Sequence, residues 1–297
     1  MDWDKLRVFH EVAGAGSFTR AGELLNLSQS AVSRQIAGLE ESLNVVLFHR
    51  HARGLKLTEQ GEILYATAHD VFARLAMTEA NLKESHDRPQ GPLKITTTVG
   101  FGSVWLTPRI KEFLKLNPDI DVSLVLADTE LDLSMREADI AIRMAPPRQP
   151  DLIQRRLKTF KHHVYAAPGY LKKYGMPKKA GDLDNHKIIV YGEDASPAID
   201  GLNWLLDAGR KDGEEPRKAV LGVNSIYGIF RAVQSGLGLA SLPDYMSFEA
   251  GNLVQVLPEL YGPSYDVFFV YPMELRNSKR IGVFRDFLIG KIAEGGL

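Results

Sequence analysis

Cysteine is absent from this 297-residue chain, which excludes disulfides, thiolate metal sites and thiol-based redox sensing. No apolar run approaches the roughly 18 to 20 residues a membrane helix needs. An excess of charge is missing too: 36 Lys and Arg stand against 37 Asp and Glu, a net charge of −1. Bulk composition therefore gives no support for a nucleic-acid partner. Catalytic signatures are also lacking. The eight histidines form no HExxH pair, and neither GxSxG nor GxxxxGK followed by Ser or Thr occurs. Gly14-Ala15-Gly16 follows a helical pattern and Gly236-Leu237-Gly238 closes one, whereas a dinucleotide loop needs strand, glycines, then helix. His162-His163 reads as a structural pair beside a strand. No catalytic residue, metal ligand or cofactor is expected. Met1-Asp2-Trp3-Asp4 is acidic and passes straight into an amphipathic pattern, so an export signal is not expected and a cytoplasmic location is.

What is present is ordinary globular material, 44% hydrophobic and 25% charged, long enough for two or three domains. Trp3, Leu6, Phe9, His10 and Ala13 recur at helical spacing, so residues 4–14 form an amphipathic helix that Gly14 and Gly16 end. Ser17 caps a second helix running to about Leu25, with Ala21 and Leu24 expected inside and Gly22 costing about 1 kcal/mol relative to Ala. Ser28 caps a third, whose Val32, Ile36, Leu39 and Leu43 share one stripe. Its opposite face carries Ser30, Ser33, Arg34 and Ala37, with Gln29 in the first turn. Short side chains let a helix backbone approach a surface, and one Arg can reach a guanine edge or a phosphate. The two helices and their polar turn have the layout of a helix-turn-helix; a plain solvated face is the alternative for this helix taken alone. Alternating apolar residues around Gly54 then make a hairpin, whose tip carries Arg50, His51 and Arg53 without a nearby acid. That is the chemistry of a wing that holds phosphates or enters the minor groove. Residues 1–60 nonetheless hold seven basic and seven acidic residues; only the direction of the charges supports DNA binding.

Phe18 to Gln35, followed by Leu39-Glu40, Leu47-Phe48-His49-Arg50 and Leu57-Thr58-Glu59-Gln60-Gly61, resembles the N-terminal signature of LysR-type transcriptional regulators. Gly22 stands where that family usually has Ala, and Ser30 where Pro is common. The opening Met1-Asp2-Trp3-Asp4-Lys5-Leu6 is similar to an alphaproteobacterial subgroup that includes LsrB- and VtlR-like regulators. The resemblance implies a winged helix-turn-helix DNA-binding domain over residues 1–60, with Ser28, Gln29, Ser30, Ser33, Arg34, Arg50, His51 and Arg53 toward double-stranded DNA.

From Glu59 to Ser85 there is no Pro, and no Gly after Gly61. Leu64, Ala68, Val71, Leu75, Thr78 and Leu82 alternate at four and three residues, the pattern of a coiled-coil seam. About 25 residues at ~1.5 Å per residue give a helix of roughly 40 Å. It needs a partner, either its own chain or a second copy, and it resembles the family's linker helix, here residues 61–88 with the hinge. Pro89 and Pro92 with Gly91 mark that hinge.

Beyond it, strands over Leu93–Thr98, Asp121–Leu126, Asp139–Arg143, His163–Ala167, Lys187–Tyr191, Ala219–Val223, Gly236–Pro243 and Tyr265–Tyr271 alternate with helices. The helices are predicted to open at Thr107-Pro108, to span Leu131–Glu137 and Pro168–Tyr174, to open at Asn224-Ser225, and to run from Lys279 to about Ile292. Such alternation predicts βαβ units around a mainly parallel sheet. Ligands in open α/β sheets bind beyond the carboxyl ends of strands, which selects Thr97, Thr98, Gly100, Ser103, Asp128, Thr129, Asn224 and Ser225. Ser103 and Ser225 sit near expected helix starts, where free N–H groups favour a carboxylate or phosphate; ordinary capping is the alternative.

Ala138 to Arg143, Tyr165 to Leu171 and Gly236-Leu237-Gly238 resemble the LysR effector domain. This implies a two-lobed, periplasmic-binding-protein-like α/β domain over residues 93–297. Lobe I would hold residues 93–162 and 264–297, and lobe II residues 163–263. The expected fold class is therefore α/β with an all-α, winged N-terminal domain. Family habit implies a homodimer or homotetramer, a small-molecule effector in the cleft and contact with RNA polymerase. The rival from another class is a solute-binding protein or small α/β enzyme with an added helical domain.

Overall fold

The computed structural model describes residues 2–51, 54–83, 88–147, 149, 151–192, 199–211, 213–246 and 252–294, with the backbone alone at 50, 51, 54, 77 and 80–83. These residues divide into two compact units, one made chiefly of Met1–Leu82 and the other of the chain from Lys83 onward.

In the first unit, α1 (Trp3–Ala15), α2 (Phe18–Leu25) and α3 (Gln29–Leu43) each start on a side-chain cap. Asp2, Ser17 and Ser28 accept the orphan N–H groups of the first turns. Gly16, Asn26 and Asn44 end the helices in the left-handed region, where Gly and Asn are least strained. Phe9, Val12, Ala21, Val32, Ile36 and Leu39 are fully buried, so the periodic stripes meet in one core. Leu24 is a correction: it is 62% exposed. The inward stripe of α2 is Phe18, Ala21, Gly22 and Leu25, and Leu24 lies one step round the helix from it. Gly22 also gains a reason. A Cβ there would sit 2.7 Å from the Leu27 carbonyl oxygen, so the corner between α2 and α3 closes against bare backbone.

Strands β1 (Phe48–His51) and β2 (Gly54–Leu57) pair antiparallel as the wing. Glu40 is taken up in building it, accepting the N–H groups of Leu47 at 2.7 Å and Phe48 at 3.3 Å. At the wing's base Thr58 Oγ1 donates to the Val46 carbonyl and accepts the Gly61 N–H, capping α4 (Glu59–Lys83). A Cβ on Gly61 would collide with the Leu47 carbonyl. Gly61→Ala is therefore expected to destabilise the head by about 1–3 kcal/mol, read from denaturant unfolding; an unchanged midpoint would show that the wing base is slack.

The seam of α4 divides. Leu64 and Ala68 pack into the head's own core together with Tyr65 and Phe72. The ring of Phe72 lies 4.9 Å from Trp3, and Tyr65 stacks on His10. Val71, Leu75 and Thr78 are exposed, Leu75 by 50%, and Ile63 beside them by 65%. The side chain of Leu82 lies outside the described residues.

In the second unit β3 (Gly91–Thr97) leads into a helical turn, Val99–Phe101, a π-helical stretch, Gly102–Leu106, and α5 (Thr107–Leu116). α5 opens at Thr107-Pro108 as expected, with the proline in its first turn, but Thr107 does not cap it: its hydroxyl donates back to the Gly102 carbonyl at 2.7 Å. Then come β4 (Ile120–Leu126), β5 (Ile140–Arg143), β6 (Leu152–Ala166), α6 (Pro168–Tyr174), β7 (Ile188–Tyr191), β8 (Ala219–Val223), α7 (Ile226–Gln234), β9 (Leu239–Pro243), β10 (Val254–Pro272) and α8 (Lys279–Glu294). No helix forms over Leu131–Glu137. Arg136 takes a φ of 59°. The Gln149 side chain accepts the Leu133 N–H and donates to the Leu131 carbonyl, replacing the helical ladder.

The sheet order is β4-β3-β5-β10-β6-β9-β7-β8. It is mixed rather than mainly parallel. Parallel groups β4-β3-β5 and β9-β7-β8 flank two long antiparallel strands, β10 and β6. Their pairing shifts register between Val256 and Tyr261 and again before Ser264. At that irregularity His162 Nδ1 meets the Pro263 carbonyl at 3.3 Å.

Candidate functional site

In the helical head, Ser28, Gln29, Ser30, Arg34 and Ala37 are exposed and Ser33 is half-buried. The Ser28 hydroxyl accepts the Ala31 N–H and meets the Ser30 hydroxyl at 3.1 Å, so it fixes the first turn of α3 rather than standing free. Among the described residues Arg34 has no ion-pair or hydrogen-bond partner, and its guanidinium is available for a partner outside the chain. The structure thus brings Gln29, Ser30, Ser33 and Arg34 onto one open face of α3. The backbones of Arg50 and His51 lie in β1 at the tip of the wing; their side chains, and all of Arg53, lie outside the described residues.

In the α/β unit one pocket holds about 420 Å³ of unfilled space, part of it open to solvent. Thr98, Gly100 and Asp128 line it, as the strand-end rule selects. The other candidates do not line it. Thr97 is fully buried, with its hydroxyl donated to the Ile142 carbonyl at 3.0 Å. Ser103 lies inside the π-helical stretch rather than at a helix start. Thr129 lends its carbonyl to Arg143. Asn224 is exposed, and Ser225 caps α7 by accepting the Gly228 N–H, the ordinary role of a serine there.

Sequence reasoning missed several lining residues, chief among them His162, Tyr191, Tyr245 and Tyr265. His162 sits where β6 and β10 shift register, so a histidine at a strand irregularity was the available signal. Its ring is fully buried. Burial pushes its pKa down to about 4, with the hydrogen bond to Pro263 opposing. A carbonyl can only accept, so Nδ1 carries the proton and Nε2 is left as a lone pair. That Nε2 is buried without a partner among the described residues. Burial likewise raises the phenols of Tyr245 and Tyr265, keeping both neutral. Asp128 accepts the Val99 N–H at 3.1 Å, closing the start of the turn after β3. A Cβ on Gly100 would come within 2.9 Å of the Met246 methyl and 3.2 Å of the Tyr245 hydroxyl, so any larger residue here would have to displace those side-chain ends.

Comparison with known proteins follows the same division. A family model described as a bacterial regulatory helix-turn-helix protein of the lysR family matches residues 3–62, and one described as the LysR substrate binding domain matches residues 86–293. The transcriptional regulator DmlR of Escherichia coli K12 is 32% identical over 294 residues, covering 97% of this chain and 94% of DmlR. The solved structure of CrgA, a LysR-type regulator from Neisseria meningitidis, superposes with a TM-score of 0.60 at 28% identity over 99% of this chain and 100% of CrgA. Full-length AphB, the Vibrio cholerae virulence activator, gives 0.57 at 26% identity, over 98% of this chain and 99% of AphB.

Proposed function

The chain belongs to the LysR family of bacterial transcriptional regulators, and from that premise we propose how its residues divide the work. It is a DNA-binding regulator of transcription, not an enzyme, with a helix-turn-helix head and a substrate-binding domain of the kind that takes small-molecule effectors in this family. Residues 1–60 form the DNA-binding domain, 61–88 the linker and hinge, and 93–297 the effector domain. Lobe I comprises 93–162 and 264–297, and lobe II 163–263.

Gln29, Ser30, Ser33 and Arg34 read the major groove, while Ser28 sets the start of that helix. Arg50, His51 and Arg53 hold phosphates or the minor groove. The single observation that carries this reading is the open face of α3, with short side chains around an Arg34 that has no partner among the described residues. Two copies pair through the exposed Val71, Leu75 and Thr78 of α4, since a symmetric operator is met best by a symmetric dimer; tetramers follow by pairing of dimers. The effector occupies the cleft lined by Thr98, Gly100 and Asp128 and acts through unequal affinity for two arrangements of the domain. Bending of the DNA or contact with RNA polymerase would pass the state of the cleft to the promoter, in the cytoplasm.

Titrating duplex DNA against salt tests the reading. Affinity is expected to fall steeply and linearly in logarithmic plots, with a slope near −0.9 per phosphate neutralised. Failure to bind any duplex near micromolar concentration at low salt would sink it.

A further inference from the structure

Resting on the cleft reading above, we propose that the effector is a small amine rather than a carboxylate, a largely apolar skeleton whose N–H donors reach His162 Nε2 and the Asp128 carboxylate.

One side-chain acceptor among the residues that line the pocket lacks a donor. His162 Nδ1 is committed to the Pro263 carbonyl, and Nε2 is a buried lone pair without a partner among the described residues. Leaving such an acceptor unpaired is destabilising, and a ligand N–H would remove that penalty. A carboxylate would bring lone pairs against a lone pair.

The position that suits an effector's carboxylate is already filled. The strand-end rule points to the N–H groups after β3, but there the chain supplies its own anion: Asp128 accepts the Val99 N–H. A second carboxylate beside it meets like charge. Among the described lining residues there is no Lys or Arg to balance it. Arg143 lies within electrostatic reach of Asp128 and Glu130, yet it lines a separate pocket together with Glu130 and Gln149. The other polar groups, Thr98 and the tyrosine phenols, are neutral and can accept as well as donate. Tyrosine faces also favour a cation over an anion. Met144, Leu202, Ile226 and Pro243 supply the apolar wall.

The test is calorimetric titration of the full chain with amines and acids of shared skeleton, benzylamine against benzoate and phenethylamine against phenylacetate. The amines are expected to bind at least about tenfold more tightly than their acids, the worth of one hydrogen bond to a charged group. His162→Phe and Asp128→Asn are each expected to lower amine affinity about tenfold or more, whereas His162→Gln, which keeps an acceptor, retains most of it. Unfolding midpoints and duplex binding of these variants report whether they fold, and a His162→Phe that fails to fold leaves Asp128→Asn and His162→Gln to decide. Ile199→Trp, which fills the pocket, separates the two levels of the reading. If acids bind as tightly as amines, or no amine binds, and Ile199→Trp abolishes acid binding, the amine assignment is wrong while the cleft stands. Amine binding that survives Ile199→Trp overturns the cleft reading and this proposal with it.

Discussion

Arg34→Ala is expected to weaken binding to a specific operator by about 1–3 kcal/mol per half-site, the usual worth of a bidentate Arg–guanine contact. A dimer on a two-half-site operator would lose roughly twice that, since the two contacts lie far enough apart to add. Affinity would therefore fall by one to several orders of magnitude. Random duplex DNA should lose far less, because there Arg34 supplies only one of many phosphate contacts. The physical basis is the openness of α3. Arg34 is exposed and unpaired among the described residues, and its neighbours Ser30, Ser33 and Ala37 are short, so the guanidinium is the longest group on that face. Anisotropy titrations with operator and scrambled duplexes measure both numbers. Equal losses on the two would remove Arg34 from base reading and leave it a phosphate contact. The variant should fold normally, since an exposed residue in mid-helix exchanged for Ala gains slightly in helix propensity.

The second large effect lies in the α/β unit, far from α3 in sequence. Arg217 is only 7% exposed and ties its own stretch of chain to two other segments of the α/β unit, around Ala180–Asp184 and Leu205–Ala208. Its Nε donates to Asp184 at 2.6 Å, one terminal nitrogen to the carbonyls of Leu205, Leu206 and Ala208, and the other to Ala180. Arg217→Met fills similar space with no donor. It would leave several carbonyls short of partners, at about 1–3 kcal/mol for each one that water cannot reach. Asp184 is half exposed and can rehydrate, so its share is discounted. The net expectation is a loss of about 3–5 kcal/mol, a large part of a typical domain's ~5–15 kcal/mol. Arg217→Lys should rescue little, because an ammonium lacks the planar fork that spans these partners. Urea unfolding of the full chain reads the loss, and a change under ~1 kcal/mol would mean that the carbonyls find water or each other.

Legibility in the sequence tracked how local the deciding interactions are. The head was readable almost to the residue because each helix carries its own cap and its own stripe: Ser17, Ser28, Val32, Ile36 and Leu39 do locally what the sequence pattern predicts. The long strands were not. The first half of β6 runs through Gln154, Arg155 and Arg156 with its side chains exposed, and β10 continues past Pro258, Gly262 and Pro263. Charge and turn residues hide a strand whose stability comes from its neighbours. Leu131–Glu137 failed the other way: its helical pattern is overruled by the side chain of Gln149, far along the chain.

The candidate pocket shows the same division. Thr98, Gly100 and Asp128 followed from the strand-end rule, because they lie next in sequence to the strands that aim them. Tyr191, Tyr245, Tyr265 and His162 come from other strands and turns, and no spacing relates them. By itself, then, the sequence determined the capped helices, the basic turn of the wing and the exposed polar face of α3, since these depend on side chains within a few residues of one another. Tertiary structure alone decided that α4 spends Leu64 and Ala68 on its own head, that β6 and β10 join the two parallel groups of strands, and that His162 lines the pocket with a buried, unpartnered Nε2 among the described residues. Burial and partner choice belong to residues far apart along the chain, and only the packed fold sets them side by side.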